Sequence, residues 1–169
     1  MRSIKIICSL FLIVSFAGLP ALAEEVTCVY CGMKRSSYGH SWMVISYKGV
    51  EPKGYCSVHC AAIAMALHTD LPIDHISVGD FNTKKQINAE KASWVVGGDL
   101  PGVMTARAKW AFETREAADA FITKHGGRLA TFEQVLEAAF DDMLNDTRMI
   151  RKKRKLIDRQ KNHSPGQRE

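Results

Sequence analysis

An α+β protein made of two small strand-strand-helix-strand units is the fold class this sequence predicts, on three observations. Trp42-Met43-Val44-Ile45-Ser46-Tyr47 is a β-rich run that turns at Lys48-Gly49 into a second short strand ending near Tyr55-Cys56. The segment from Ser57 to about His68 is alanine-rich and apolar on most faces, the pattern of a buried helix, and Asp74 to Gly79 reads as the strand that returns from it. The same order then recurs, with strands at Ala92 to Val96 and Ala108 to Phe112, a helix from Thr114 to Lys124, and a strand at Arg128-Leu129-Ala130. The literal identity between the halves is small: Ser-Trp at 41–42 and again at 93–94.

Taken in chain order, residues 1–23 have the build of a secretory signal. Arg2 and Lys5 are its charged start, Ile6 to Ala17 its apolar stretch, and Ala21-Leu22-Ala23 its small-residue cleavage site. Gly18 and Pro20 keep the apolar run to about a dozen residues, short of the roughly 20 that span a bilayer. Cleavage after Ala23 would leave an exported, periplasmic chain with four cysteines. Glu25-Val26-Thr27 before Cys28 is not a lipoprotein signal, which needs a small residue directly before the cysteine.

Residues 24–83 form the first, cysteine-bearing unit and residues 84–147 the second, which closes on a further helix. That last helix is announced by a capping box, Thr131-Phe132-Glu133-Gln134, and runs at least to Leu144. Residues 148–169 are a basic tail, partly disordered, with Ser164-Pro165-Gly166 near its end. The tail carries nine Lys/Arg against Asp158 and Glu169, whereas residues 24–147 carry twelve basic and sixteen acidic side chains. The overall charge of +5 therefore belongs to the ends, and the mildly acidic body does not read as nucleic-acid-binding. The bland reading of the tail is a solvated extension. The functional one is contact with a membrane surface or an acidic partner.

Chemistry concentrates in Cys28-Val29-Tyr30-Cys31-Gly32-Met33 and in the pair Cys56 and Cys60. Two thiols two residues apart can close on one ion, Gly32 lets the backbone turn back, and Met33 adds a thioether. With Ser57 near a helix cap, Cys56 and Cys60 sit where the helix N-terminus favours thiolate. A C-x-x-C knuckle with two more cysteines at a helix start is the layout of four-thiolate treble-clef zinc sites. Zn(II) is accordingly one reading and Cu(I), which accepts thiolate together with thioether, the other. Structural disulfides are the alternative in an oxidising compartment, but a Cys28–Cys31 loop is very small, and a Cys56–Cys60 bridge would distort the helix start. A thiol-disulfide redox protein fits less well, because glycine rather than a helix follows the C-x-x-C directly. The sequence offers no nucleophile elbow, no phosphate-binding glycine loop and no defensible catalytic set, so the chain is not read as an enzyme. His59, between the second pair of cysteines, is the one histidine that stands as an auxiliary ligand candidate.

Beside this reading stands a resemblance. The C-x-x-C-G-M opening at 28–33, Ile76-Ser77-Val78-Gly79-Asp80-Phe81, Ile87 to Gly97, Met104, Phe112, and Ala117-Ala118-Asp119-Ala120-Phe121 with Gly126-Gly127-Arg128 resemble, in order and spacing, the nitrous oxide reductase accessory protein (NosL) family over roughly residues 28–136. The resemblance implies a Cu(I)-binding metallochaperone that hands copper to nitrous oxide reductase, with an organomercurial-lyase-like fold of two strand-strand-helix-strand units. It also makes Met104, after a glycine-rich loop, the best thioether ligand candidate. The chain departs from the family in carrying Cys56 and Cys60 where serine and acidic residues are usual. Cys28, Cys31, Met33, Cys56, Cys60 and Met104 are thus the expected metal ligands.

Overall fold

The computed structural model describes residues 25–163, with side chains through 160. The signal segment 1–23 and Ser164-Pro165-Gly166 lie outside these residues. After the 28–33 turn come a one-turn helix α1 (Arg35–Tyr38) and a 3-10 turn (Gly39–Ser41). The first unit continues as β1 (Met43–Tyr47), β2 (Lys53–Tyr55), α2 (Val58–Leu67) and β3 (Ile73–Gly79), and is completed by β4 (Gln86–Asn88). The second is β5 (Ser93–Val96), β6 (Lys109–Phe112), α3 (Arg115–His125) and β7 (Arg128–Ala130), followed by α4 (Phe132–His163).

Both units are built alike, as the recurrence in the sequence predicts. In the first sheet, of order β2-β1-β3-β4, β1 lies between its hairpin partner and the strand returning from α2. In the second, of order β6-β5-β7, β5 holds the same central place. All named strand pairs are antiparallel, with Met43 opposite both Tyr55 and Val78 in one sheet and Trp94 opposite Ala111 and Ala130 in the other. The short β4 went unread in the sequence: its three residues are all half-buried and show no alternation to find.

Asp80 joins the two sheets. It pairs with Ala111 in an isolated parallel bridge, and its buried carboxylate accepts the Glu113 N–H at 2.9 Å while also accepting from the Thr83 N–H and hydroxyl. Across the same junction Phe81 packs on Trp110, Phe112 and Phe121, with ring centroids 5.1 to 5.6 Å apart. Aromatic burial of this kind is worth several kcal/mol, roughly 1.5–3 for each fully buried large side chain.

The helix starts differ. Thr114 caps α3 by accepting the Ala117 N–H on its hydroxyl, whereas Ser57, extended at φ −166°, ψ 175°, makes no side-chain cap bond at the start of α2. The capping box at α4 is present in both directions: Thr131 N–H donates to Gln134 Oε1 at 3.0 Å and Gln134 N–H to Thr131 Oγ1 at 3.3 Å. From there α4 runs 32 residues, about 48 Å at the helical rise, so the basic run 148–159 is helix continued. No described helix is long and apolar enough to cross a membrane.

Candidate metal centre

The knuckle is closed by the Cys28 N–H donating to the Met33 carbonyl at 2.8 Å and the Gly32 N–H to the Cys28 carbonyl at 3.0 Å. Gly32 takes φ +74°, a conformation that costs a side chain but not glycine, and this brings Cys31 back over Cys28. The Val29 N–H reaches the Gly54 carbonyl at 3.2 Å, which docks the knuckle on β2 just before Cys56. Cys56 precedes the cap residue Ser57, and Cys60 stands on the first turn of α2.

These local constraints bring all four sulfurs together. The Sγ atoms of Cys28, Cys31, Cys56 and Cys60 lie within 4.8 Å of one another, with Cys31 to Cys56 at 3.4 Å and Cys56 to Cys60 at 3.7 Å. All four are free thiols, so the disulfide alternative is not the arrangement here. A tetrahedral ion with metal–sulfur bonds of about 2.3 Å needs sulfurs about 3.8 Å apart, and thiols that all lie within 4.8 Å of one another reach that with small shifts of their side chains. The donor set fits a soft ion, one of the group taking thiolate ligands. Both cysteine pairs thus share one site.

Packed without an ion, the thiols share protons unequally. The Cys28 thiol is driven far below the usual thiol range because the Cys56 and Cys60 thiols donate to it, with help from the backbone of Cys56 and Cys31, against the cost of burial. Cys56 is pushed far up by donating to Cys28 and then Cys60, and Cys60 is raised chiefly by donating to Cys28. The three buried thiols therefore divide, with Cys28 of the knuckle shifted toward thiolate and Cys56 and Cys60, contrary to the expectation from the helix start, toward thiol.

Exposure differs among the four. Cys28, Cys56 and Cys60 are buried and Cys31 is half-exposed. A cavity of about 190 Å³ opens over Cys31 and Cys60, with Met104 on its wall and Ile150, Arg151 and Arg154 of α4 at its edge. Met104 belongs to the loop between β5 and β6 and sits at φ +61°, a left-handed conformation that is costly for its side chain, roughly 1–3 kcal/mol. Met33 contributes its carbonyl to the knuckle and packs its side chain on the core, and it is not among the residues lining this cavity.

What holds the Met104 loop escaped the sequence reading. Asp146 of α4, almost wholly buried, accepts the Ala106 N–H on Oδ1 at 3.0 Å. Asp142, one turn earlier, binds Arg107 at 2.9 Å and the buried Lys109 at 2.8 Å. His59, on the cysteine helix, turns its Nδ1 toward Asp146 Oδ2 at 3.5 Å, but neither atom makes a hydrogen bond among the described residues. Burial lowers the His59 pKa more than Asp146 raises it, with Lys109 lowering it further, so the ring is neutral at pH 7. A signal was available: Asp142 and Asp146 interrupt the face of α4 that otherwise carries Phe132, Val135 and Ala139. Acidic residues on a core face ask for buried partners.

Residues 20–140 match the NosL family model. The HTH-type transcriptional repressor CutR of Bacillus subtilis (strain 168) is 32% identical over 127 residues, which are 75% of this chain and 61% of that protein. The chain thus spans under two thirds of the length of this relative. Among solved structures, the crystal structure of the copper chaperone NosL from Shewanella denitrificans superposes with a TM-score of 0.51 at 24% identity, covering 63% of this chain and 87% of that one. The solution structure of apo-NosL from Achromobacter cycloclastes gives 0.39 at 30% identity, over 54% and 82%.

Proposed function

This chain belongs to the NosL family, and from that premise we propose that it is an exported copper metallochaperone: it takes up Cu(I) on its cysteine cluster and passes it to a periplasmic copper enzyme, nitrous oxide reductase being the first candidate. The observation that carries this reading is the pairing of four convergent thiols with a cavity over Cys31 and Cys60 that Met104 also lines. Copper here is cargo. Cys28, Cys56 and Cys60 grip it from the buried side, and Cys31 and Met104 stand where an acceptor's ligand enters. Thioether is neutral and a weaker donor than thiolate, so a path through Met104 lets ligands exchange singly without releasing the ion to solvent. Arg151 and Arg154 at the edge offset the negative charge of a multi-thiolate site. Met33 stays a ligand candidate only through the opening motif, since its side chain faces the core. Transfer of this kind is ligand exchange, and the chain is read as a carrier, not a catalyst.

The convergence of four thiol sulfurs within 4.8 Å of one another favours a second reading, a structural zinc site in an interaction module. Elemental analysis of residues 24–169, purified reduced and without oxygen, followed by Cu(I) titration against a chelator, separates the two. Tight Cu(I) binding that weakens in Met104→Leu, with transfer to copper-free nitrous oxide reductase, supports the carrier. One tightly held zinc per chain, indifferent to Met104→Leu, overturns it.

A further inference from the structure

We propose that the far end of α4 is a docking arm for the acidic protein that receives the ion, seated in the corner between the arm and the opening of the thiol cavity; this rests on the carrier reading above. Along α4, Phe132, Val135, Ala139 and Asp146 recur at steps of three, four and seven residues, one face of the helix, and are buried against the body. The same face continues as Met149 and Leu156, with Ile157 beside it, and there it is uncovered: these three are 40%, 50% and 41% exposed. Lys153 interrupts the stripe, but its alkyl stem extends it while the ammonium reaches water. The arm therefore offers an apolar seam in line with the core.

Three occupants compete for that seam. A bilayer is flat, and the body of the protein already lies on this side of the helix, so a membrane approaching the seam meets the body first. A second copy would bring Arg151-Lys152-Lys153-Arg154-Lys155 against an identical run, with Asp158 as the acidic residue nearby, and like charge opposes that pairing. An acidic protein of finite size fits the corner and is drawn by the same charge. Ile150, Arg151 and Arg154, on the neighbouring face of the same turns of this arm, line the cavity over Cys31 and Cys60, so a partner seated on the seam lies beside the exit of the ion.

The test uses host cells that lack the chain, restored with the full-length parent, with Leu156→Asp/Ile157→Asp, or with Lys152→Glu/Lys155→Glu, all at exposed positions beyond the body. Copper in the exported copper enzymes is measured, together with the Cu(I) affinity of each purified protein. The expected result is unchanged affinity and copper loading reduced about tenfold in the first variant, the scale of losing an apolar anchor at an interface centre, with a smaller loss in the second. Full loading by both variants overturns the arm. So does parental cosedimentation with phosphatidylglycerol vesicles that the variants lose, which makes a bilayer the occupant, or a parental dimer that they lose, which makes it a second copy. If the parent binds no Cu(I), or its absence leaves every exported copper enzyme loaded, the carrier reading falls first and the arm with it.

Discussion

Asp146 Oδ1 accepts the backbone N–H of Ala106 at 3.0 Å, and through that bond the long C-terminal helix holds the loop that carries Met104. The carboxylate is buried while Ala106 is exposed, so its loss frees the N–H to water and removes a hydrogen bond to a charged group. Asp146→Ala is expected to cost about 1.5–3 kcal/mol, the scale of such a bond. Thermal unfolding should show a lower midpoint, and Cu(I) should leave the loaded protein faster. Asp146→Asn, which keeps an oxygen toward Ala106, should recover most of the stability.

Met104→Leu isolates the sulfur. Volume and left-handed backbone are both retained, so stability should move by less than about 1.5 kcal/mol, as in other swaps of similar volume. Cu(I) affinity should nonetheless fall, measured by competition with a chromogenic chelator. An unchanged affinity would remove Met104 from the ligand set.

Alkylation should rank the thiols. Cys31 is the half-exposed cysteine of the four, and the other three are buried. In the reduced, metal-free protein, iodoacetamide should label Cys31 first, as read by peptide mass mapping, and bound metal should suppress the labelling.

Metal uptake should release protons at neutral pH. Cys56 and Cys60 hold theirs because their pKa values are raised by donating to the Cys28 thiolate, so an ion that engages both must displace both. Apparent affinity should then rise with pH through the neutral range, by up to about tenfold per unit for each proton displaced. Titration in weak buffer with a pH indicator measures the number directly.

Acid should loosen the loop from α4. Burial alone would raise the pKa of Asp142, but the Arg107 and Lys109 bonds outweigh it and hold the carboxyl below its ordinary 3.8. Because the folded value is depressed, the stability it contributes is complete above about pH 3.8 and is lost as pH falls through the lower folded value. The stability gap between the parent and Asp142→Asn, from urea unfolding at stepped pH, should therefore close below that point.

Elements with local signatures are legible in the sequence. The strand at 42–47, the alanine-rich α2 and the Thr131/Gln134 box have signatures within a few residues, and each is present. The four cysteines were expected as metal ligands by type and spacing, and the fold brings them together. Geometry that depends on distant partners was out of reach. Nothing within the 97–108 loop says that Asp146, forty residues on, takes the Ala106 N–H. The place of Arg151 and Arg154 at the cavity edge needed the crossing of α4 over α2, which no local pattern encodes.

The two helix entries that follow β2 and β6 show how one architectural device can take two trades. At Thr114 the hydroxyl answers the helix's own first-turn donor, and that entry is electrically self-contained. At Ser57 the hydroxyl makes no such bond, and the first turn of α2 is left without a side-chain cap. The second half of the molecule thus caps its own helix, while the matching entry of the first half goes without, and the start of α2 should be the one that exchanges its amide protons sooner.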